Sequence, residues 1–98
     1  MSDDAVSVAP EVYSVVFENE SVRVLDVRAD PGSESPMHRH PDSVMYAVSD
    51  SHIVVTSPDG EEQHADVPAG ATFWSPATEH AVRNVGTTPV HFIRIELK

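Results

Sequence analysis

Two histidines one residue apart, His38 and His40 in the stretch MHRHP, are the first residues here whose types and spacing can do chemistry. In an extended strand, residues i and i+2 face the same way, so both imidazoles can converge on one point while Arg39 points off. Such a pair offers two neutral nitrogens to a metal ion, at about 2.0–2.1 Å for zinc. A bare H-x-H pair is a weak signal, and two surface imidazoles have the same spacing. His80 strengthens it. It opens a strand after the proline turn of GATFWSPATEHAVRN, residues 70–84. In a small antiparallel barrel that strand can lie beside the H-x-H strand, and three histidines then line one mouth of the barrel. Three neutral imidazoles facing one apolar cavity are costly without a partner, and a metal is the simplest partner. The chain has no cysteine, which removes thiolate ligands, disulfides and cysteine nucleophiles together. Nitrogen and oxygen must hold any metal, and the donor set leaves iron, zinc, nickel, manganese and copper open.

Other side chains are candidates for the surroundings of such a site. Asp42, in HPDS, is either a fourth ligand or a turn residue. His91 shares strand parity with Ile93, Ile95 and Leu97. It is expected to face the interior, as a proton carrier, as a support for a ligand, or as a satisfied interior histidine. His52 and His64 adjoin turns and acids and are expected in solvent. Met45 or Tyr46, and Phe73 or Trp74, are expected to line the pocket. Loops at Pro41 and Pro76 reset the register, so parity alone does not choose within each pair. Arg83 and Arg94 are surface residues by default and anchors for an anionic substrate otherwise.

The elements that must position these residues are strands. Apolar residues come in runs of five to eight, rich in valine, isoleucine and phenylalanine, with no amphipathic helix of useful length. Strands are expected at 12–17, 21–29, 37–40, 44–49, 52–57, 61–67, 71–75, 80–84 and 89–97, the pattern of an all-β sandwich or barrel. Pro58-Asp59-Gly60 supplies the positive φ of a tight hairpin. Residues 1–10 are expected to be a flexible N-terminus and 11–98 a single domain, the size that 98 residues allow.

Sixteen acidic residues against six basic give a formal net charge of −10, which argues against a nucleic-acid-binding surface. The acidity fits either adaptation to high salt or ordinary solubility. No apolar stretch approaches the roughly 18 residues of a membrane span. The acidic N-terminus lacks the basic region of a secretory signal, and the expected location is the cytoplasm.

The motif pattern resembles the cupins, the small double-stranded β-helix or jelly-roll barrels. Their first motif reads G-x5-H-x-H-x3/4-E-x6-G, and here Gly32, five residues and His38-Arg39-His40 follow it. Their second reads G-x5-P-x-G-x2-H-x3-N, matched by Gly70, Pro76, His80 and Asn84. The resemblance implies that His38, His40 and His80 are metal ligands. It departs from the pattern in three places. Val44 or Met45 stands where motif one has glutamate, and Ser51 stands where it closes on glycine. PATEH is one residue short, with Thr78 in place of glycine. The lost glutamate leaves a neutral three-histidine set with more positions open to water or substrate. The resemblance implies a small-molecule metalloenzyme, dioxygenase-like with iron or a Lewis-acid isomerase or hydrolase with zinc or nickel. The reading from another class is a non-catalytic barrel that binds or senses a small ligand. A homodimer is expected as well, with VHFIRIEL and EVYSVVF as interface strands.

Overall fold

The computed structural model describes residues 3–98. All nine expected strands are present: β1 (Tyr13–Glu18), β2 (Val22–Ala29), β3 (Glu34–His40), β4 (Ser43–Ala47), β5 (Ser51–Thr56), β6 (Glu62–Val67), β7 (Thr72–Ser75), β8 (Thr78–Asn84) and β9 (Val90–Leu97). They form two antiparallel sheets packed face to face, a jelly roll. One has the order β1-β2-β9-β4-β7 and the other β3-β8-β5-β6. The turns form where the sequence places turn residues. Gly60, at φ 87°, closes the β5–β6 hairpin in a left-handed conformation that side chains resist.

The inner faces meet in a small core around Leu25, Val27, Met45, Ala47, Val90 and Phe92. Strand β3 begins with an irregularity: its register against β8 shifts between Ser35 and His38. Ser35 and His38 both point inward for that reason, although strict alternation would separate them.

Two expectations need correction. Residues 4–9 do not form a loose extension. Ala5 and Ala9 are fully buried, in and just after a short helix, α1 (Ala5–Val8), which Asp4 caps by accepting a hydrogen bond from the Val6 amide. Strand β3 is an edge strand, and this segment covers it: the Arg39 amide donates to the Asp3 carbonyl at 2.7 Å. Covering an unpaired edge satisfies its backbone groups, which short-range sequence features do not reveal. Residues 1 and 2 lie outside the described residues.

The parity of β9 is the second correction. Val90, Phe92, Arg94 and Glu96 are buried, and His91, Ile93, Ile95 and Leu97 lie on the outer face. Ile93, Ile95 and Leu97 face outward, while the inner positions beyond Phe92 carry Arg94 and Glu96, which hydrogen-bond to Ser43, Arg23 and His40 inside. Deleting the chain up to Ala9 should lower the thermal unfolding midpoint by about 5–15 °C, at about 4–8 °C per kcal/mol for a domain of this size. A flexible extension would leave the midpoint unchanged.

Candidate metal centre

His38 and His80 are direct partners across β3 and β8, and His40 lies two positions further along the same face. Their ring centroids are 4.8 Å (His38–His40), 4.9 Å (His38–His80) and 5.3 Å (His40–His80) apart, all edge-on. One nitrogen of each ring lies within 4.8 Å of the others. The strand pairing thus brings together the three histidines singled out from the sequence.

The Nδ1 hydrogen bonds of His38 and His40 fix the tautomers of these two rings. The Nδ1 of His38 is 2.6 Å from the Pro36 carbonyl, which can only accept, so Nδ1 carries the hydrogen. The Nδ1 of His40 donates to Glu96 Oε2 at 2.8 Å. In neutral rings both Nε2 atoms are then bare lone pairs. Nε2 of His40 and Nε2 of His80 are buried without a partner among the described residues. Nε2 of His38 accepts only the Tyr13 hydroxyl, at 3.1 Å. Buried polar atoms without partners are rare in folded proteins and call for an explanation. A transition-metal cation fits these donors.

Protonation does not supply the missing partners. Burial pushes the His80 imidazole down to about 3, helped by His38, His40 and Arg94. Burial likewise takes His40 to about 4 against the opposing pull of Glu96, and it lowers His38. All three rings are neutral at neutral pH, the state a metal requires.

Behind His40 stands a chain of charges. Glu96 is fully buried, and its Oε1 accepts from Arg23 Nε at 2.8 Å. Arg23 reaches on to Asp4 at 2.5 Å. Burial alone would raise the Glu96 carboxyl, but the bonds from His40 and Arg23 outweigh it and hold it below its ordinary value. An anionic carboxylate on Nδ1 fixes the ring's tautomer and makes Nε2 a better donor, as carboxylate–histidine–metal arrangements do. Glu96 and Tyr13 are the residues bonded to the histidine group that sequence reasoning missed. Glu96 sits in an apolar alternating run, and its charge at a strict every-second position was the available signal. Tyr13 lies in EVYSVVF, a run whose sequence pattern points only to an interface strand. It is buried, its phenol is raised by burial, and its hydroxyl serves the site as a donor.

The remaining candidates separate clearly. Asp42 is an exposed turn residue whose Oδ1 accepts the Ala77 amide at 2.8 Å, and it is not part of the histidine group. The fourth-ligand expectation is corrected accordingly, because that backbone contact holds the carboxylate in the turn. His91 lies on the outer face, paired with Asp26 at 2.6 Å, which corrects its interior placement. Of the two positions where the motif has glutamate, Val44 faces outward and Met45 inward. Met45 and Phe73 line the cavity between the sheets; Tyr46 and Trp74 do not, and they stand 44% and 53% exposed on the other face. Proline loops left this choice open, and the β4–β7 register, pairing Met45 with Phe73 and Val44 with Trp74, decides it. His52 pairs with Asp66 and His64 is exposed, both at the surface as expected. Arg83 is a surface residue near Glu34 and Glu62. Arg94 is not: it is 5% exposed and lines the cavity. That cavity measures about 370 Å³, is mostly apolar, and takes in Tyr13 and His80.

A two-sheet jelly roll with histidines on two neighbouring strands of one sheet, facing the interior, defines a double-stranded β-helix protein with a candidate metal centre. The family model of the cupin domain matches residues 19–96, and the chain belongs to the cupins. It is 34% identical over 89 residues to the β-alanine degradation protein BauB of Pseudomonas aeruginosa, covering 89% of this chain and 93% of that one. A cupin domain from Bordetella pertussis superposes with a TM-score of 0.82 at 30% identity, over 89% of this chain and 92% of that one. Oxalate decarboxylase of Bacillus subtilis, solved in a study of its Mn(II) centres, matches at TM-score 0.58 and 28% identity. That match covers 78% of this chain and 21% of the decarboxylase.

The depressed imidazoles set a pH dependence for the metal-free protein. The unfolded chain takes up protons below about 6.5, the ordinary histidine value, while folded His40 and His80 resist until about 4 and about 3. Their contribution is complete above about 6.5 and is lost as pH falls toward 4. Unfolding free energies measured by denaturant between pH 7.5 and 4.5 should fall steadily. A flat profile would contradict buried neutral rings.

Proposed function

We propose that this protein is a metal-binding cupin in which His38, His40 and His80 hold a transition metal that acts on a small organic molecule in the adjoining cavity. The observation that carries this reading is the pair of buried, partnerless Nε2 atoms on His40 and His80. A metal bound there supplies Lewis acidity or, if it is iron, redox chemistry with dioxygen. The chain's own groups do the rest. Glu96 and the Pro36 carbonyl orient two of the imidazoles, the apolar walls exclude water, and Tyr13 holds a proton on its hydroxyl at the centre. The likeness to a protein named for β-alanine degradation supports a place in small-molecule breakdown. A second reading, a barrel that binds its ligand without turning it over, is favoured by the cavity wall: among the described residues no carboxylate lines it to act as a base.

Metal analysis of the purified protein should find about one transition metal per chain, and the His38→Ala/His80→Ala double variant should retain less than about a tenth of it. Equal, trace metal in both would end the proposal. Oxygen uptake by the iron-loaded protein with candidate substrates then separates turnover from binding.

We also propose a homodimer through the outer face of the five-stranded sheet. Phe17, Val24, Ile95, Val44 and Trp74 are consecutive cross-strand partners, an apolar row over all five strands. Phe17 and Trp74 are each 53% exposed. A two-fold axis would bury the same patch on both copies. Light scattering should give twice the 10.7 kDa chain mass and a monomer for Phe17→Glu/Trp74→Glu. A monomeric unmodified protein would discard the dimer.

A further inference from the structure

Arg94 is the one permanently charged side chain lining the cavity among the described residues. It projects inward from the middle of β9, between Leu25 on β2 and Met45 on β4 in register. Among the described residues its guanidinium forms a single hydrogen bond, from Nη1 to Ser43 Oγ at 3.1 Å, and no ion pair, and its Nε is buried without a partner. Ser43 is fully buried and donates in turn to the Pro41 carbonyl at 2.8 Å, so the fork is held from a fixed support. Glu96 attracts it from two positions along the same face, but the Glu96 oxygens are held by Arg23 and His40, so the guanidinium has no carboxylate bonded to it among the described residues.

A guanidinium does not give up its proton at any ordinary pH. A buried charge with no direct ion-pair partner is costly to hold, and an apolar side chain of similar volume would be cheaper. A ligand from outside the chain can supply the direct partner that Arg94 lacks. The unused N–H groups are donors on a cation, which favours an anion, and the planar fork suits a carboxylate. One cation among apolar walls balances one negative charge, which disfavours phosphate with its charge of about −1.5 to −2. Val27, Ile53, Val82 and Phe92 line the remaining space, and about 370 Å³ lies at the small end of ligand pockets.

We propose that Arg94 anchors the carboxylate of a small organic acid whose apolar body lies between the sheets against Val27, Ile53, Val82 and Phe92. This rests on the reading of the cavity as the small-molecule site, and it holds with or without a bound metal. His80 lines the same cavity, so an acid anchored on Arg94 lies beside the histidine group.

The probes are butyrate and butyramide, nearly equal in shape and different in charge. They are titrated calorimetrically into metal-free and zinc-loaded protein, with Arg94→Met and Arg94→Lys alongside. The unmodified protein should bind butyrate about ten-fold or more tightly than butyramide. Arg94→Met should lose that preference while still taking butyramide, and Arg94→Lys should keep part of it. Butyrate should raise the unfolding midpoint of the unmodified protein and not that of Arg94→Met. Arg94→Met itself should unfold at a higher temperature, since it removes a buried charge that makes no direct ion pair. Equal binding of the two probes overturns the carboxylate anchor and leaves the cavity reading standing. Binding of neither probe overturns both. A lower midpoint for Arg94→Met, with its butyrate preference intact, makes the arginine a structural group and overturns the anchor.

Discussion

Buried nitrogen lone pairs with nothing to accept are the constraint around which this molecule is arranged. An imidazole in the interior has two ways to satisfy both nitrogens at once, a donor on its bare side or a proton. Burial removes the second for His38, His40 and His80. The first is met once, by the Tyr13 hydroxyl on His38. The other Nδ1 contacts are built so that Nε2 must be the bare atom. The Pro36 carbonyl and the Glu96 carboxylate accept and cannot donate, so they hold the tautomer that leaves a lone pair facing the neighbouring rings.

Holding Glu96 charged in the interior has consequences far from the rings. A lone buried carboxylate would take up a proton and lose its grip on His40. Arg23 prevents this from strand β2, and Asp4 engages the other side of Arg23. The N-terminal segment is thereby tied to the site by charge as well as by the burial of Ala5 and Ala9. The same segment covers the free edge of β3, the strand that carries two of the three histidines. Edge protection and site geometry therefore depend on one short stretch of chain.

Strand β9 shows how the site reverses an ordinary pattern. Its inward positions include Arg94 and Glu96, and its outward positions include Ile93, Ile95 and Leu97. Period-two alternation reports that a strand has two unlike faces. Which face is buried depends on what the opposite sheet and the neighbouring strands offer. Here the interior supplies Arg23, His40 and Ser43 as partners for charge, and the outer sheet face supplies apolar neighbours on every strand.

By itself the sequence determined the nine strands, because apolar runs and turn residues are local signals, and Gly60 needs its conformation whatever surrounds it. It also carried the three histidines, since i and i+2 share a face in any strand and the proline turn before His80 starts another. Only the tertiary structure decided what stands around them. Whether Arg94 is solvated or buried, whether Met45 or Tyr46 lines the cavity, and whether Glu96 reaches His40 depend on pairings between residues far apart in the chain. One residue of register inverts each answer. Glu96 and His40 are 56 positions apart, and no local pattern encodes a contact that exists only once two sheets have closed on each other.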